Sequence, residues 1–580
     1  MADEQPPAAP PAEAKPAAAT TAEGAEGAEG EAGPSKKALK KAEAKAKKEA
    51  EKAKRAAERE AQQAAAKAAE NSEDKAKDNY GDRDIVTLSA PKVALKAYSE
   101  VHLGQTVKLR AWIQNSRMQG AKMCFVELRE LGDWTVQGVI AASADGEPVS
   151  KQMVKWVGAV SLESYVAVEA TVQKPLEPVK SCKVSEFELH ITKMYCVARG
   201  PEMLGLTLGA SNAAISSYEV DGQMQSLSLG GGGDKDAAAP SLSATLETHL
   251  DNIVMHKRAP LQQAIQTVRE NVRDLFVEYL KQNDFHSFEP PCLIGAASEG
   301  GANVFGLPYF GKSAFLAQSP QFYKQMEIAG GRKRVYCVGP VFRAENSNTP
   351  RHMTEFTGLD IEMEIEESYH EVIYMLEGVF LYIFRNLEAR CKDEIALVRS
   401  IYPSEPFKLP EDGKEVRLTF AQGQQLLREE GPEEFRNVTD DEDMSTPQEK
   451  ALGAIIRKKY GTDFYVLDKF PESARPFYAK EDPANREVTN AYDFFMRGQE
   501  IMSGGQRINL PAELEARMVR KGVDPKAPGL KEYVNVFKQG GCPPHGGGGI
   551  GLDRVVAFYL NLPNVQLAAY YPRTPNRLFP

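Results

Sequence analysis

The stretch GPVFRAENSNTPRHMTEFTGLDIE, residues 339–362, decides the fold that this chain is expected to adopt. Strand-like apolar runs occupy residues 334–341 and 356–364, and the segment between them is rich in Asn, Ser, Thr and Pro, which favour turns. The pattern predicts a β-hairpin with a long polar loop.

That hairpin carries more polar chemistry than its own stability requires. The side chains concerned are Arg343, Glu345, Arg351, His352, Glu355, Phe356, Asp360 and Glu362. Guanidinium groups bind phosphate oxygens through paired hydrogen bonds, and an aromatic ring stacks on a base, so the set indicates a nucleotide site. The alternative is a solvated hairpin held by surface salt bridges.

Composition narrows the class of protein. A chain of 580 residues with 42% hydrophobic residues is long enough for more than one domain. Its seven cysteines are scattered without a CxxC pair, which fits neither a disulfide framework nor a zinc site and indicates a reducing compartment. No signal peptide and no membrane span are predicted. The net charge of −10 taken alone argues against binding of nucleic acid, but it does not exclude binding at a local basic patch.

Residues 1–78 are expected to form a low-complexity tail, with a basic helix over about residues 35–70. Residues 35–59 hold eleven Lys or Arg and four Glu, a net charge of +7. Lysines recur there at helical spacing, at Lys37, Lys41, Lys45, Lys48 and Lys52. This stripe favours binding of a phosphate backbone, and a solvated helix or disordered tail is the alternative.

Residues 79–204 show five short alternating strands, typical of a small barrel of the oligonucleotide-binding type, or OB-fold. Arg117, Gln119, Phe125 and Gln137 lie on or beside its early strands, where guanidinium, amide and aromatic groups suit RNA bases. Phe125 is equally consistent with a core position. Residues 205–249, with four consecutive glycines at 230–233, are expected to form a hinge or linker.

Residues 250–580 are expected to form the largest domain. Helical patterns at 261–281 and 369–390 alternate with strand patterns that pair as hairpins, which favours an α+β fold on a mainly antiparallel sheet. No GxGxxG sequence follows a first strand, so a doubly wound nucleotide fold is not expected.

Two later segments carry groups suited to a nucleotide and its metal. Glu500 and Ser503 are hard oxygen ligands of the kind that share Mg²⁺ with substrate phosphates, and a glycine turn between strands is the alternative. The glycine-rich run 545–551 leads into a helix with Arg554 in its first turn. Those glycines predict close approach of a flat ligand to the backbone.

A further set has the polarity of an acidic amino acid. Lys324 and Arg507 together suit a small carboxylate, and Glu299 or Asp360 suits an ammonium group. Each residue alone is more often a surface charge, so the prediction depends on the whole set.

Together these residues resemble the class II aminoacyl-tRNA synthetases, and in detail the eukaryotic cytosolic aspartyl enzymes. The helix and strand ending at Pro291 resemble motif 1, residues 342–356 resemble motif 2, and GIGLDR at 549–554 resembles motif 3, with Asp553 where many relatives carry Glu. The likeness covers roughly residues 82–580. It implies an antiparallel catalytic sheet with flanking helices, an amino-terminal OB-fold barrel and a basic extension.

The resemblance also implies residue roles. Arg343, Arg554 and Glu500 are the implied catalytic groups, with Glu500 and Ser503 as Mg²⁺ ligands. The implied ATP-binding residues are Arg343, Glu345, Arg351, His352, Met353, Phe356, Glu500, Gly551, Leu552, Asp553 and Arg554. The implied aspartate-binding residues are Glu299, Gln321, Lys324, Arg343, Asp360, Ser503 and Arg507. Anticodon contacts are implied for Arg117, Gln119, Phe125, Gln137 and Glu188, and tRNA-backbone contacts for the tail lysines.

The activity of that family is the ligation of L-aspartate to tRNA(Asp), driven by ATP with Mg²⁺ in the cytoplasm. A homodimer through the Pro291 region is implied, and membership of a multi-synthetase assembly stays open. The alternatives are an asparaginyl-type synthetase, whose relatives lack a lysine at the position of Lys324, and a synthetase-like RNA-binding or scaffold protein that charges no tRNA. A lysyl enzyme would need acids where Arg507 stands.

Overall fold

The computed structural model describes residues 74–220, 223–227, 243–297 and 303–580. The predicted basic helix with its five lysines, the run of four glycines and Glu299 lie outside these residues. The described residues from Ala76 onward belong to one unit. Within the described ranges no helix is both long and apolar enough to cross a membrane.

The amino-terminal strands close into a barrel. They are β1 (Tyr80–Asp82), β2 (Thr106–Met118), β3 (Met123–Arg129), β4 (Thr135–Ala141), β5 (Tyr165–Gln173) and β6 (Val184–Ala198), with helix α1 (Lys151–Gly158) between β4 and β5. Strand β2 pairs with β3 and β5, β4 pairs with β3 and β6, and β5 pairs with β6, so five strands form a ring. The predicted five-stranded barrel is confirmed.

Alternation along the strands explains the barrel core. Leu109, Ala111 and Ile113 on β2 point inward and are at most 1% exposed, while Arg110 between them is exposed. A period of two places alternate residues on opposite faces of a strand, so one face fills the barrel and the other remains available for contacts.

The connector carries short elements over its described residues. They are α2 (Leu208–Ser211), β7 (Ser217–Val220), β8 (Gln223–Ser226), α3 (Leu246–Asp251) and α4 (Ile253–Arg258). Strands β7 and β8 pair as an antiparallel hairpin.

The carboxyl-terminal region opens with a long helix and a small sheet. Its first elements are α5 (Pro260–Gln282), β9 (His286–Ser287), β10 (Leu293–Ile294), β11 (Gly306–Tyr309), β12 (Lys312–Leu316) and α6 (Gln321–Ala329). Pro260 starts α5, where its fixed φ suits a helix and its missing N–H costs nothing. Val268, Val272 and Leu275 recur on one face of α5 and are fully buried, as the helical pattern predicts.

The central sheet and its helices follow. They are β13 (Arg334–Phe342), β14 (Glu355–Glu364), α7 (His370–Arg390), α8 (Lys392–Ile401), β15 (Arg417–Thr419), α9 (Phe420–Glu430), α10 (Thr446–Tyr460), β16 (Phe464–Asp468), β17 (Ala491–Met496), β18 (Gln499–Gln506), α11 (Pro511–Arg520), α12 (Leu530–Gln539), β19 (His545–Gly551) and α13 (Leu552–Tyr559). The strand order is β15-β16-β17-β18-β19-β14-β13-β9.

This sheet is antiparallel except at its two ends, where β15 pairs with β16 and β9 with β13 in parallel. The predicted hairpin is therefore β13 and β14, within one residue at each boundary. On β14, Leu359 and Ile361 face the hydrophobic core together with α5 and α7, whereas Asp360 and Glu362 point to the opposite face. That opposite face carries the candidate site.

Candidate active site

A cleft of about 330 Å³ lies on this polar face of the sheet. It is bordered by strands β14, β18 and β19, by helix α6 and by the loop between β13 and β14. The structure brings together there every predicted ATP- and aspartate-binding residue within the described ranges except Leu552. The side chain of Leu552 is fully buried in the hydrophobic core, so its side chain is not part of the cleft surface.

One end of the cleft holds two buried cations around one carboxylate. Lys324 Nζ lies 3.4 Å from Glu362 Oε2 and 3.1 Å from Asp360 Oδ1. Arg507 Nε lies 3.1 Å from Glu362 Oε1, and Arg507 Nη2 donates to the carbonyl of Gly547 at 3.0 Å. The groups come from α6, β14 and the segment after β18, so only the folded chain assembles them.

Glu362 and Arg507 stabilise each other in their charged forms. Burial would raise the pKa of Glu362, but Arg507 and Lys324 outweigh it, and the pKa of this carboxyl stays below its usual value. Burial would likewise lower the pKa of Arg507, but the Glu362 carboxylate raises it instead. Both groups are therefore ionised, and the cations are fixed before any ligand arrives.

A chain of hydrogen bonds supports α6 from behind. Gln321 Nε2 donates to Gln325 Oε1 at 2.9 Å, and Tyr533 Oη donates to the same oxygen at 2.8 Å. Gln325 Nε2 lies 2.9 Å from His545 Nε2, and burial lowers the pKa of His545. All four side chains are buried, which orients α6 and Lys324 on it.

The other end of the cleft collects arginines. The Arg343 guanidinium lies 5.6 Å from the centre of the Phe356 ring, and Arg554 donates through Nε to the carbonyl of Arg351 at 3.3 Å. Burial, followed by the nearby Arg554 charge, lowers the pKa of His352. A cleft with one half-buried ring beside several fixed cations suits a base and its phosphates.

Asp553 serves the wall of the cleft. Its Oδ1 accepts from Arg269 Nη2 at 3.0 Å, and its Oδ2 accepts from the backbone N–H of Thr357 at 3.0 Å. These bonds tie α13 to α5 and to β14. Since Arg554 follows directly, Asp553 orients it by holding the start of α13, and this aspartate is long enough to make both bonds.

One residue at the site was missed by sequence reasoning. Arg475, buried after β16, donates to Asp493 Oδ2 at 2.6 Å and to Ser503 Oγ at 2.9 Å, with its guanidinium 3.8 Å from the centre of the Phe470 ring. Burial raises the pKa of Asp493 to about 7, partly offset by Arg475. The one available signal was an arginine directly before an apolar Pro-Phe-Tyr run at 476–478.

The oxygen donors at the cleft wall suit Mg²⁺ only together with substrate phosphates. Within the described residues, no group of three or more His, Cys, Asp or Glu side chains is arranged to hold a metal. Glu500 is half-buried, lines the cleft and lies 4.0 Å from Arg554 Nη1, and Ser503 lines the same wall. One carboxylate and one hydroxyl fit Mg²⁺ because this ion takes few protein ligands when substrate phosphates supply the rest.

Two of the glycines of β19 are required for a different reason from the one predicted. A Cβ on Gly547 would lie 2.1 Å from the carbonyl oxygen of Ile361 and 2.4 Å from Glu362 Oε2, and a Cβ on Gly548 would lie 2.5 Å from Met502 Sδ. These positions therefore make room for the backbone and side chains of the neighbouring strands, not for a ligand. The expectation that the whole run admits a flat ligand is wrong at these two positions; Gly549 and Gly551 do border the cleft.

The predicted RNA-contact residues share one outer face of the barrel. Phe125 is half-buried, between the inward-facing Cys124 and Val126, and the Arg117 guanidinium lies 5.4 Å from its ring centre. Gln137 Nε2 donates to Glu188 Oε2 at 2.9 Å across β4 and β6. Phe125 is thus not a core residue, and Gln119 is exposed at the end of β2.

Comparison with known proteins gives the class. The family described as tRNA synthetases class II (D, K and N) matches residues 245–575. The chain belongs to this class, which confirms the resemblance seen in its motifs.

Within the class, it belongs with the eukaryotic cytoplasmic aspartate–tRNA ligases. The rat cytoplasmic aspartate–tRNA ligase is 42% identical over 82% of this chain and 89% of the relative. An aspartyl-tRNA synthetase from Entamoeba histolytica shares the fold with a TM-score of 0.73 at 34% identity, covering 87% of this chain and 96% of that one. An asparaginyl-tRNA synthetase from Pyrococcus horikoshii reaches 0.68 at 27% identity, covering 84% and 99%.

Proposed function

We propose that this protein activates L-aspartate with ATP to aspartyl-adenylate and transfers the aspartyl group to the 3′ end of tRNA(Asp). The observation that carries the proposal is the pair Lys324 and Arg507, held 3.4 Å and 3.1 Å from Glu362 in the cleft that also contains Arg343 and Phe356. Two fixed cations suit a side-chain carboxylate, and Asp360 beside them suits the substrate ammonium group.

In the first step, the α-carboxylate of aspartate attacks the α-phosphorus of ATP, and the bond to the bridging oxygen breaks to release pyrophosphate. Arg343 would stabilise the charge on the α-phosphate, and Phe356 would stack on adenine. Arg351, His352 and Arg554, which line the same cleft, would contact the β- and γ-phosphates. No protein nucleophile is required, so catalysis comes from positioning and preorganised charge.

In the second step, a ribose hydroxyl of the terminal tRNA nucleotide attacks the carbonyl of the mixed anhydride, and AMP leaves. Glu500 and Ser503 would hold Mg²⁺, which when bound neutralises phosphate charge. Arg475 fixes the Ser503 hydroxyl at 2.9 Å, so this ligand is oriented before substrate binds.

The barrel and the tail supply tRNA contacts in this proposal. Arg117, Gln119, Phe125, Gln137 and Glu188 would read the anticodon, and the lysines of the tail would bind the tRNA backbone. The proposal includes a homodimer through the Pro291 region and a cytoplasmic location, the latter shared with the names of the relatives.

Asparagine is the competing substrate. Its neutral amide would face Lys324 and Arg507, two buried cations, without returning a charge to either. The Lys324 side chain is only 2% exposed, so water does not compensate. A scaffold protein that charges no tRNA would not need Arg343, Arg351 and Arg554 facing one cleft.

The decisive experiment is ATP–pyrophosphate exchange with purified protein, aspartate or asparagine, and Mg²⁺, followed by charging of purified tRNA(Asp). We expect exchange with aspartate at least about a hundredfold more efficient than with asparagine. Exchange with asparagine alone would identify an asparaginyl enzyme, and no exchange with either would favour the scaffold.

A further inference from the structure

A carboxylate from outside the three motifs stands behind the arginine end of the cleft. Glu449, in the first turn of α10, places Oε2 3.3 Å from Arg351 Nη1, and its side chain is 11% exposed. Arg351 lines the cleft, so the ion pair has the guanidinium at the cavity and the carboxylate behind it.

Two glycines set the position of Glu449. A Cβ on Gly453 would lie 2.3 Å from the Cα of Gly498, and a Cβ on Gly498 would lie 2.8 Å from the carbonyl oxygen of Glu449. Helix α10 therefore rests its backbone directly on the turn between β17 and β18, where Gly498 has φ +68°. Side chains at either glycine would push the helix away.

The same turn leads into the opposite wall of the site. Glu500 lies two residues after Gly498 on β18, and its Oε1 is 4.0 Å from Arg554 Nη1. The contact between α10 and the turn thus fixes two acids relative to two arginines: Glu449 to Arg351, and Glu500 to Arg554. Arg554 in turn donates to the Arg351 carbonyl at 3.3 Å.

We propose that Glu449 is a positioning residue that holds the Arg351 guanidinium toward the phosphates of the bound nucleotide, on a brace formed by α10 and the β17–β18 turn. The proposal rests on the proposed function only for the nature of the nucleotide. An arginine side chain has many rotamers, and ordering one on binding costs conformational entropy. A carboxylate behind the cleft meets this cost in the free protein without facing the phosphates itself.

The test is a double-mutant cycle with Glu449→Gln, Arg351→Gln and the double variant. Binding of Mg·ATP alone is measured by calorimetry, and the KM values for ATP and aspartate by pyrophosphate exchange. The matched control is Glu442→Gln, the same change at an exposed residue in the segment that leads to α10. Apparent Tm is recorded for each variant.

We expect Glu449→Gln to weaken ATP binding and raise the KM for ATP roughly tenfold, with the KM for aspartate unchanged. The double variant should match Arg351→Gln alone, since Glu449 acts through Arg351. The double variant leaves neither member of the pair charged without its partner. It therefore still gives a result if Glu449→Gln alone does not fold. Independent, additive effects, or ATP binding within twofold of wild type in Glu449→Gln at normal Tm, would overturn the proposal.

Because calorimetry needs neither aspartate nor tRNA, this result is separate from that of the proposed function. If the wild type shows no aspartate-dependent exchange, the proposed substrate is wrong. The double-mutant cycle measured by ATP binding still tests the role of Glu449. Equal losses for ATP and aspartate in Glu449→Gln would indicate a general structural role and would also overturn the proposal.

Discussion

Lys324 and Arg507 both contact one carboxylate, that of Glu362, with Lys324 Nζ 3.4 Å from Oε2 and Arg507 Nε 3.1 Å from Oε1. Neither cation belongs to the hairpin that suggested the fold, and they are 183 positions apart in the sequence, the difference between 507 and 324. The carboxylate between them keeps two like charges together in a buried pocket. That arrangement is what makes a substrate carboxylate, and not an amide, the expected ligand.

Lys324→Gln should lower kcat/KM for aspartate by about a hundredfold or more, because it removes a buried charge from the ligand and leaves the carboxylates under-compensated. The ratio of aspartate to asparagine efficiency should fall by a similar factor. Pyrophosphate exchange with both amino acids measures it. Lys333→Gln is the matched control, since that lysine is 73% exposed and pairs with Glu364 at the end of β14. An unchanged ratio would exclude Lys324 as a selectivity residue.

Arg343→Ala should abolish pyrophosphate exchange. The guanidinium faces the cleft beside Phe356, and loss of a preorganised charge contact costs roughly 3–4 kcal/mol of transition-state stabilisation. Arg332→Ala, at a half-exposed arginine paired with Glu327, is the control and should retain exchange. Near-normal exchange in Arg343→Ala would show that the α-phosphate is bound by other groups.

The buried pair His249 and His256 should make stability depend on pH. Their Nδ1 atoms are 3.2 Å apart, and burial lowers the pKa of His249 to about 4 and of His256 to about 3. In the unfolded chain both titrate near 6.5, so between pH 6.5 and about 4 the unfolded state binds more protons. The free energy of unfolding should therefore decrease as the pH is lowered through this window, by about 1.4 kcal/mol per pH unit for each histidine.

The measurement is apparent Tm between pH 7.5 and 5 for the wild type and the double variant His249→Gln, His256→Gln. The double variant should show a flatter dependence. His190→Gln, at a histidine that is half-exposed, should keep the wild-type slope. Parallel slopes in all three proteins would mean that other groups set the acid sensitivity.

Deletion of residues 1–73 should weaken tRNA binding at low salt and leave aspartate activation intact, because the lysine stripe of the tail would bind phosphates without reading sequence. The deletion stops there because Ala76 is buried and Tyr195 Oη donates to the carbonyl of Asp78 at 2.5 Å. Filter binding across a salt series measures the effect. A loss of affinity that does not depend on salt would argue against backbone contacts.

Local patterns predicted the elements but not the long-range pairs. The hairpin, the barrel and helix α5 were predictable because period-2 and period-3.6 alternation records which face is buried. Arg475 was missed because its partners Asp493 and Ser503 come from two later strands. Glu449 was missed because an acid in the first turn of a helix is common for reasons of the helix dipole alone.

The β19 glycines illustrate the opposite error. A glycine run predicts close approach of something to the backbone, but the sequence does not say of what. Here the carbonyl of Ile361 and the side chain of Glu362 fill the space beside Gly547, and Met502 fills the space beside Gly548. The neighbour of each glycine is determined by the register of β19 with β14 and β18, which pairs Gly547 with Glu362 and Gly548 with Gly504. The local sequence does not contain this register.

Phe125 provides the test of the barrel face. Its ring is half-buried beside Arg117, on the outer side of a strand whose neighbours Cys124 and Val126 fill the core. Stacking on an aromatic contributes about 1–3 kcal/mol per base, so Phe125→Leu should raise the KM for tRNA roughly 5- to 150-fold. Phe125→Tyr keeps the ring and should stay near wild type, and neither variant should change pyrophosphate exchange. Equal charging by the leucine and tyrosine variants would show that no base stacks at this position.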